Sequence, residues 1–334
     1  MKKNIVVALI ILVLLVGIGG YLFLKPKASI PPGKVFHVGV LSGLDFFLPT
    51  LDGFKQKMAE LGYVEGKNIT YDVQKAAPDV ATYRKTVNKF ITDNVDLIFV
   101  YPTEASIETK TTTKGTNIPV VFTNAFTEDT GLIESVRAPG ANVTGVRWVG
   151  PDLALQRLEI MRELVPTMKQ LWVPYLKDYP IVKSQIAALR PVVAKTGITM
   201  TEIPATTATE LAASLNTHAK SGLPDAILGI AEPLMVTPDA FVATVKFASQ
   251  HAIPFGGVYM TVGDNESLFG VTPQSIPQGE QAAVLADKIL RGTPAGTIPV
   301  VSAEGYFQMS YRAAKKQGLT VPEGLLNRAD EIIR

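Results

Sequence analysis

The chain has 334 residues, 47% of them hydrophobic and 19% charged, with 32 basic against 30 acidic side chains and no cysteine. That much apolar material excludes a disordered chain, and the missing cysteines exclude a disulfide scaffold, a thiolate metal site and a lipid-bearing Cys. A formal net charge of +2 with no Lys/Arg block leaves no footprint for nucleic acid.

Lys2 and Lys3 precede an apolar run over residues 5–24, interrupted by Gly17, Gly19, Gly20 and Tyr21. At 1.5 Å per residue the run covers ~30 Å, the thickness of a hydrocarbon core. Cleavable signals have shorter apolar stretches of ~7–15 residues. The plausible cut, after Ala28, would put Pro26 where a small residue belongs. The segment therefore predicts an uncleaved transmembrane helix, the alternative being a cleaved signal that leaves the domain secreted or periplasmic. Pro26, Pro31 and Pro32 make residues 25–34 a tether, so that 1–34 anchor an extracytoplasmic domain at the cell membrane.

From residue 35 short apolar runs alternate with helical patterns. Strands are predicted at 35–41, 69–73, 96–101, 119–124 and 142–146. The helices between them carry Leu51, Phe54, Met58 and Leu61, then Tyr83, Val87 and Phe90, then residues 104–115. The second half repeats the rhythm, with strands at 170–175, 198–203, 225–231, 254–260 and 267–272. Its helices present Leu155, Leu158, Met161 and Val165; Val182, Ile186, Leu189 and Val193; Leu211 and Leu215; and Phe241, Val245 and Ala248. Pro191 predicts a kink or an early end, and Thr237-Pro238 a capped helix start. Such alternation demands parallel sheets covered on both faces. The expected fold class is α/β, two doubly wound parallel-sheet lobes after an N-terminal transmembrane helix. Ligands of such sheets bind beyond the strands' carboxyl ends, here the cleft between the lobes.

Chemistry beyond binding finds little support. His37, His218 and His251 are well separated, and no G-x-S-x-G elbow, P-loop, H-E-x-x-H or G-x-G-x-x-G after the first strand is present. No catalytic residue, metal ligand or cofactor is predicted.

Residues at strand ends supply the binding candidates. Ser42, Asp45, Phe46 and Phe47 follow the first strand, and the two rings either stack on a ligand or pack as a hydrophobic staple. Thr103 and Glu104 stand where strand meets helix. There the Thr103 hydroxyl and the following N–H groups either hold a carboxylate or cap the helix. Thr123, Asn124, Trp148, Tyr175, Glu232 and Tyr259 likewise close or follow strands.

Six stretches carry a likeness to a known family. They are GFKQKMAELGYVEGKNITYDVQ (53–74), VDLIFVYPTEAS (95–106), IPVVFTN (118–124), PGANVTGVRW (139–148), VLADKILRGTPAGTIPV (284–300) and GLTVPEGLLNRADEII (318–333). In this order they resemble the ABC transporter substrate-binding family whose best-known members bind tryptophan and related aromatic amino acids. The resemblance implies a type 1 periplasmic-binding-protein fold with crossovers near 145–150, 270–274 and 300–305. The N-lobe would comprise 35–147 plus 271–300, and the C-lobe 148–270 plus 301–334. It implies ligand contacts in the loop after the first strand, at Thr103 and at the end of strand 120–124. The ligand would be an amino acid or related carboxylate, delivered unaltered to an ABC permease and its ATPase. The same fold also serves sensory subunits of signalling complexes and, less readily here, enzymes of the cleft. Amino-acid-binding relatives often carry short acids where this chain has Leu234 and Tyr259, leaving Glu232, Asp45 and Asp264 as candidates to meet an ammonium.

Overall fold

Strands that alternate their apolar side chains between two helical layers organise the molecule, a computed structural model describing residues 33–334. The predicted anchor and all but the last two residues of the tether lie outside that range. Among the described residues no helix is long and apolar enough to cross a membrane.

The first lobe runs β1 (Phe36–Ser42), α1 (Leu48–Glu60), β2 (Ile69–Lys75), α2 (Val80–Thr92), β3 (Leu97–Tyr101), α3 (Thr103–Thr112), β4 (Val120–Phe126) and β5 (Val143–Trp148). Within β3, Leu97, Phe99 and Tyr101 enter one apolar cluster while Ile98 and Val100 enter the other. That two-sided burial is what an all-parallel sheet requires.

The second lobe follows as α4 (Gly150–Leu164), β6 (Gln170–Leu176), α5 (Pro180–Thr196), β7 (Thr199–Ala205), α6 (Ala208–Ala219), β8 (Ala226–Leu228), α7 (Pro238–Gln250) and β9 (Phe255–Gly257). A small hairpin, β10 (Thr261–Val262) with β11 (Asn265–Glu266), leads into β12 (Phe269–Thr272). The chain then returns to the first lobe as α8 (Ser275–Leu290), which lies against α1. A Cβ on Gly53 would stand 2.2 Å from the Ile276 carbonyl, and one on Gly279 1.9 Å from that of Thr50, so only glycines permit this helix contact. After β13 (Val301–Ser302) the chain crosses a third time to β14 (Tyr306–Ser310), α9 (Tyr311–Lys316), α10 (Glu323–Arg328) and β15 (Glu331–Ile333).

Two sheets result, ordered β13-β5-β4-β3-β1-β2 and β15-β14-β12-β9-β8-β6-β7. The first is parallel throughout. The second departs from the expected all-parallel pattern, because β14 runs antiparallel to β12. A strand entering directly from the other lobe, with no helical crossover to reverse it, meets the sheet in that sense.

Smaller expectations also shift. Val301 and Ser302 pair with Val146 and Arg147, and Trp148 with Phe126, so these residues belong to the first sheet rather than the second lobe. α4 buries Leu153, Ala154, Leu158, Met161 and Leu164, which leaves Leu155 and Val165 half-buried beside the predicted face. α5 continues past Pro191 to Thr196. Thr237 precedes α7 without a capping bond, its hydroxyl donating instead to the Leu234 carbonyl at 2.7 Å.

Candidate ligand-binding site

The carboxyl ends of the strands face each other across the cleft and enclose a cavity of about 60 Å³. Leu44 and Phe47 reach it from the loop after β1, Pro102, Thr103 and Glu104 from the start of α3, and Asn124, Phe126 and Trp148 from β4 and β5. The second lobe contributes Tyr179 and Ile181 after β6, Ala231, Glu232, Pro233 and Val236 after β8, and Tyr259 after β9.

Aromatic side chains form the walls. Trp148 meets Phe47 and Phe126 edge to face, with centroids 5.9 and 5.7 Å apart. Its indole N–H donates to Gln278 Oε1 at 2.6 Å, which fixes the ring against α8. Phe46 packs on Tyr259 at 5.3 Å and joins the lobes at the rim.

The polar groups are few, and two of them lack partners among the described residues. Asn124 adopts φ +50°, its Oδ1 accepting from the Thr50 hydroxyl at 3.0 Å while Nδ2 has no partner among the described residues. The Tyr259 hydroxyl is buried and equally unpartnered. Glu232 is 2% exposed and accepts the N–H groups of Leu234 and Met235 at 2.7 and 2.8 Å. Burial pushes its carboxyl up to about 7 despite those bonds. On the facing lobe, Glu104 accepts a hydrogen bond from the Tyr179 hydroxyl, a direct bridge between the halves. Burial, then the Glu104 charge, holds the Tyr179 phenol well above its ordinary value.

The Thr103 side chain neither caps its helix nor stands free. Its Oγ1 accepts the Phe126 N–H at 3.0 Å, tying the start of α3 to β4 and leaving its own O–H to donate. The N–H groups of Thr103, Glu104 and Ala105 precede the first intrahelical bond, from Ser106 to the Pro102 carbonyl.

The structure thus brings together Phe47, Thr103, Glu104, Asn124, Trp148, Glu232 and Tyr259. Other predicted residues stand apart. Ser42 is buried, donating to the Leu44 carbonyl at 3.5 Å, and Asp45 is exposed beside Lys75 at 3.6 Å. Phe46, 55% exposed, covers the rim without lining the cavity. Thr123 is fully buried and does not line the cavity, and Tyr175 turns to Glu202 at 2.9 Å. Leu234 packs in an apolar cluster and Asp264 is exposed on the β10–β11 turn, so Glu232 alone of the three acids proposed for an ammonium reaches the cavity.

Sequence reasoning missed Tyr179 and Phe126. Tyr179 immediately precedes Pro180 at a helix start beyond β6. That position past the strand's carboxyl end was a better signal than Tyr175 within the strand.

A sequence model of the family described as ABC transporter substrate binding protein matches residues 40–333. A tyrosine-binding protein of Clostridioides difficile (strain R20291) is 28% identical over 267 residues, 77% of this chain and 73% of that one. An ABC domain from Streptococcus pneumonia, solved in complex with L-Trp, aligns with a TM-score of 0.76 at 21% identity, covering 90% of this chain and 100% of that one. A ligand-free, open substrate-binding protein with adhesive properties from Clostridium difficile gives a TM-score of 0.72 at 23% identity, with 90% and 99% covered. At these identities both structures speak for the fold.

Proposed function

The chain belongs to the ABC transporter substrate-binding protein family, and from that premise we propose that it captures an aromatic amino acid in the interlobe cleft and delivers it to an ABC permease and its ATPase. The walls suit the side chain. A phenyl, phenol or indole ring placed among Phe47, Phe126 and Trp148 gains apolar burial plus about 0.5–1.5 kcal/mol per edge-to-face or offset pair. The polar groups suit the two ends of a zwitterion. Asn124 Nδ2, the Thr103 hydroxyl and the first N–H groups of α3 can donate to a carboxylate, and Glu232 and Glu104 can accept from an ammonium.

The observation that carries this reading is the convergence of acids from opposite lobes on one aromatic-walled cavity, beside an amide with unspent donors. Nothing in that lining makes a nucleophile–base pair. His37 is exposed on β1, and the His218 and His251 rings pack near Trp172 and Phe247. Binding without turnover is the chemistry such a site supports.

The cavity is far smaller than the roughly 300–1,000 Å³ of most ligand pockets, so entry needs the lobes to part. Hinge motion at the three crossovers, near 148–150, 273–274 and 303–305, would break the Tyr179–Glu104 bridge and the Phe46–Tyr259 contact. L-Phe, L-Tyr and L-Trp titrated into the detergent-solubilised full chain test the reading. Saturable heat with at least one, and for L-Phe or L-Tyr an emission change abolished by Trp148→Phe, are expected. No saturable heat from any of the three would refute it.

A further inference from the structure

Two features of the cavity are not those of a site that grips both ends of a zwitterion equally. The first is charge. Glu104 and Glu232 line it, and no Lys, Arg or His does. Arg157, fully buried on α4, lies outside that lining behind Tyr259; its Nε and Nη2 donate to the Val271 carbonyl at 3.1 and 2.6 Å, while Nη1 has no partner among the described residues. The second is the helix start. The first turn of α3, where a ligand carboxylate would profit from the helix dipole, already carries the Glu104 carboxylate. An incoming carboxylate can gain those N–H groups, but it meets like charge beside them.

The walls favour the opposite sign. Aromatic faces attract cations through the ring quadrupole, more strongly where water is excluded. Trp148 and Phe47 are less than one-tenth exposed, and Tyr179 and Tyr259 flank them from the other lobe. The Tyr179 hydroxyl already places the positive end of a dipole against Glu104. An ammonium arriving there does the same with a full charge and reaches a carboxylate on each lobe.

We propose that the ammonium of the ligand is the obligatory recognition group of the cleft and its carboxylate is dispensable, so that aromatic monoamines lacking a carboxylate are ligands in their own right. The proposal rests on the reading of this cleft as the ligand site. The cation sits between Glu104 of the first lobe and Glu232 of the second, displaces the Tyr179 hydroxyl from Glu104, and draws the lobes together by relieving the repulsion between their acids.

Calorimetry at pH 8 on the full chain, with three ligands sharing a ring and a two-carbon spacer, decides it. L-Phe carries both charges, phenethylamine the ammonium alone, and 3-phenylpropionate the carboxylate alone. Phenethylamine is expected within thirty-fold of the L-Phe affinity, and 3-phenylpropionate more than a hundred-fold weaker than phenethylamine. Glu104→Gln is expected to weaken phenethylamine and L-Phe by a similar factor of ten or more. Phenethylamine falling more than thirty-fold below L-Phe, or 3-phenylpropionate matching it, overturns the proposal while leaving the amino-acid reading intact. Phenethylamine binding without L-Phe overturns the amino-acid reading and supports the proposal, whereas silence from all three overturns both.

Discussion

A broad groove on the first lobe and the cleft cavity differ in ways that run against their sizes. At the amino-terminal end of the first sheet a groove of about 1,060 Å³ is lined by Lys34, Asp96, Lys110, Lys114 and Asn142 among others, against about 60 Å³ between the lobes. The polar groups of the groove largely satisfy one another. Lys34 pairs with Asp96 at 2.8 Å, Lys110 donates to the Gly131 carbonyl at 2.7 Å, and Asn142 Nδ2 reaches the Ile118 carbonyl at 2.6 Å. The residues lining the cavity instead include an unpartnered amide, an unpartnered phenol and a carboxyl whose acidity burial has weakened. Unspent hydrogen-bonding capacity and a perturbed acid at strand carboxyl ends mark a site better than volume does.

Substitutions break this contrast most sharply at its aromatic centre. Trp148→Ala removes a buried ring held by Gln278 and touching two phenylalanines. It is expected to cost about 3–5 kcal/mol of stability in denaturant titration, together with ligand binding. Lys114→Ala in the groove is expected to change stability by less than about 0.5 kcal/mol and affinity not at all.

Next in size is a pH effect. The folded-state value of Glu232 is raised from 4.5 to about 7, so the folded chain holds that proton more tightly than the unfolded one. The stability this supplies is fully present below pH 4.5 and is lost as pH rises through about 7. It amounts to as much as about 3 kcal/mol. The difference in unfolding free energy between wild type and Glu232→Gln, followed from pH 4 to pH 8, is expected to shift by that much. A flat difference would place the perturbed acid elsewhere. The same Glu232→Gln change is expected to weaken aromatic ligands at pH 8 by about 2 kcal/mol, or thirty-fold, read by calorimetry.

The smallest effect is the most specific. Tyr179→Phe deletes the bridge to Glu104, whose net worth is about 1 kcal/mol. Because that bond competes with the ligand, affinity is expected to rise about threefold to fivefold, while scattering shows a more extended unliganded chain. A loss of affinity would make the Tyr179 hydroxyl a ligand contact rather than a competitor.

The architecture was legible because its apolar patterns are local. The unbroken run Leu97 to Tyr101 declares a buried strand, and Tyr83, Val87 and Phe90 a helix face, without any tertiary knowledge. The antiparallel β14 was not, since strand direction there depends on where the third crossover enters the sheet. Helix α8 was not predicted either, its buried face being largely small residues (Gly279, Ala282, Ala283 and Ala286) with Leu285 and Ile289 as its large aliphatics.

The site was half legible. Strand-end position picked out Thr103, Asn124, Trp148, Glu232 and Tyr259, which reach the cavity. It also picked Ser42, Thr123 and Tyr175, whose side chains point into the packed layers or along the sheet surface. Alternation along a strand decides which of two neighbours faces the ligand, and one residue of register reverses the answer. That register emerges only when the sheet is assembled.

The central claim is that one ligand is gripped by both lobes at the strands' carboxyl ends. A crystal structure of the protein grown with saturating L-Phe tests it most directly. The account predicts the ring among Phe47, Phe126 and Trp148, the ammonium between Glu104 and Glu232, and the Tyr179–Glu104 bond broken. Ligand density in the groove beside Lys114, or an intact Tyr179–Glu104 bridge with the cavity closed around nothing larger than water, would contradict it.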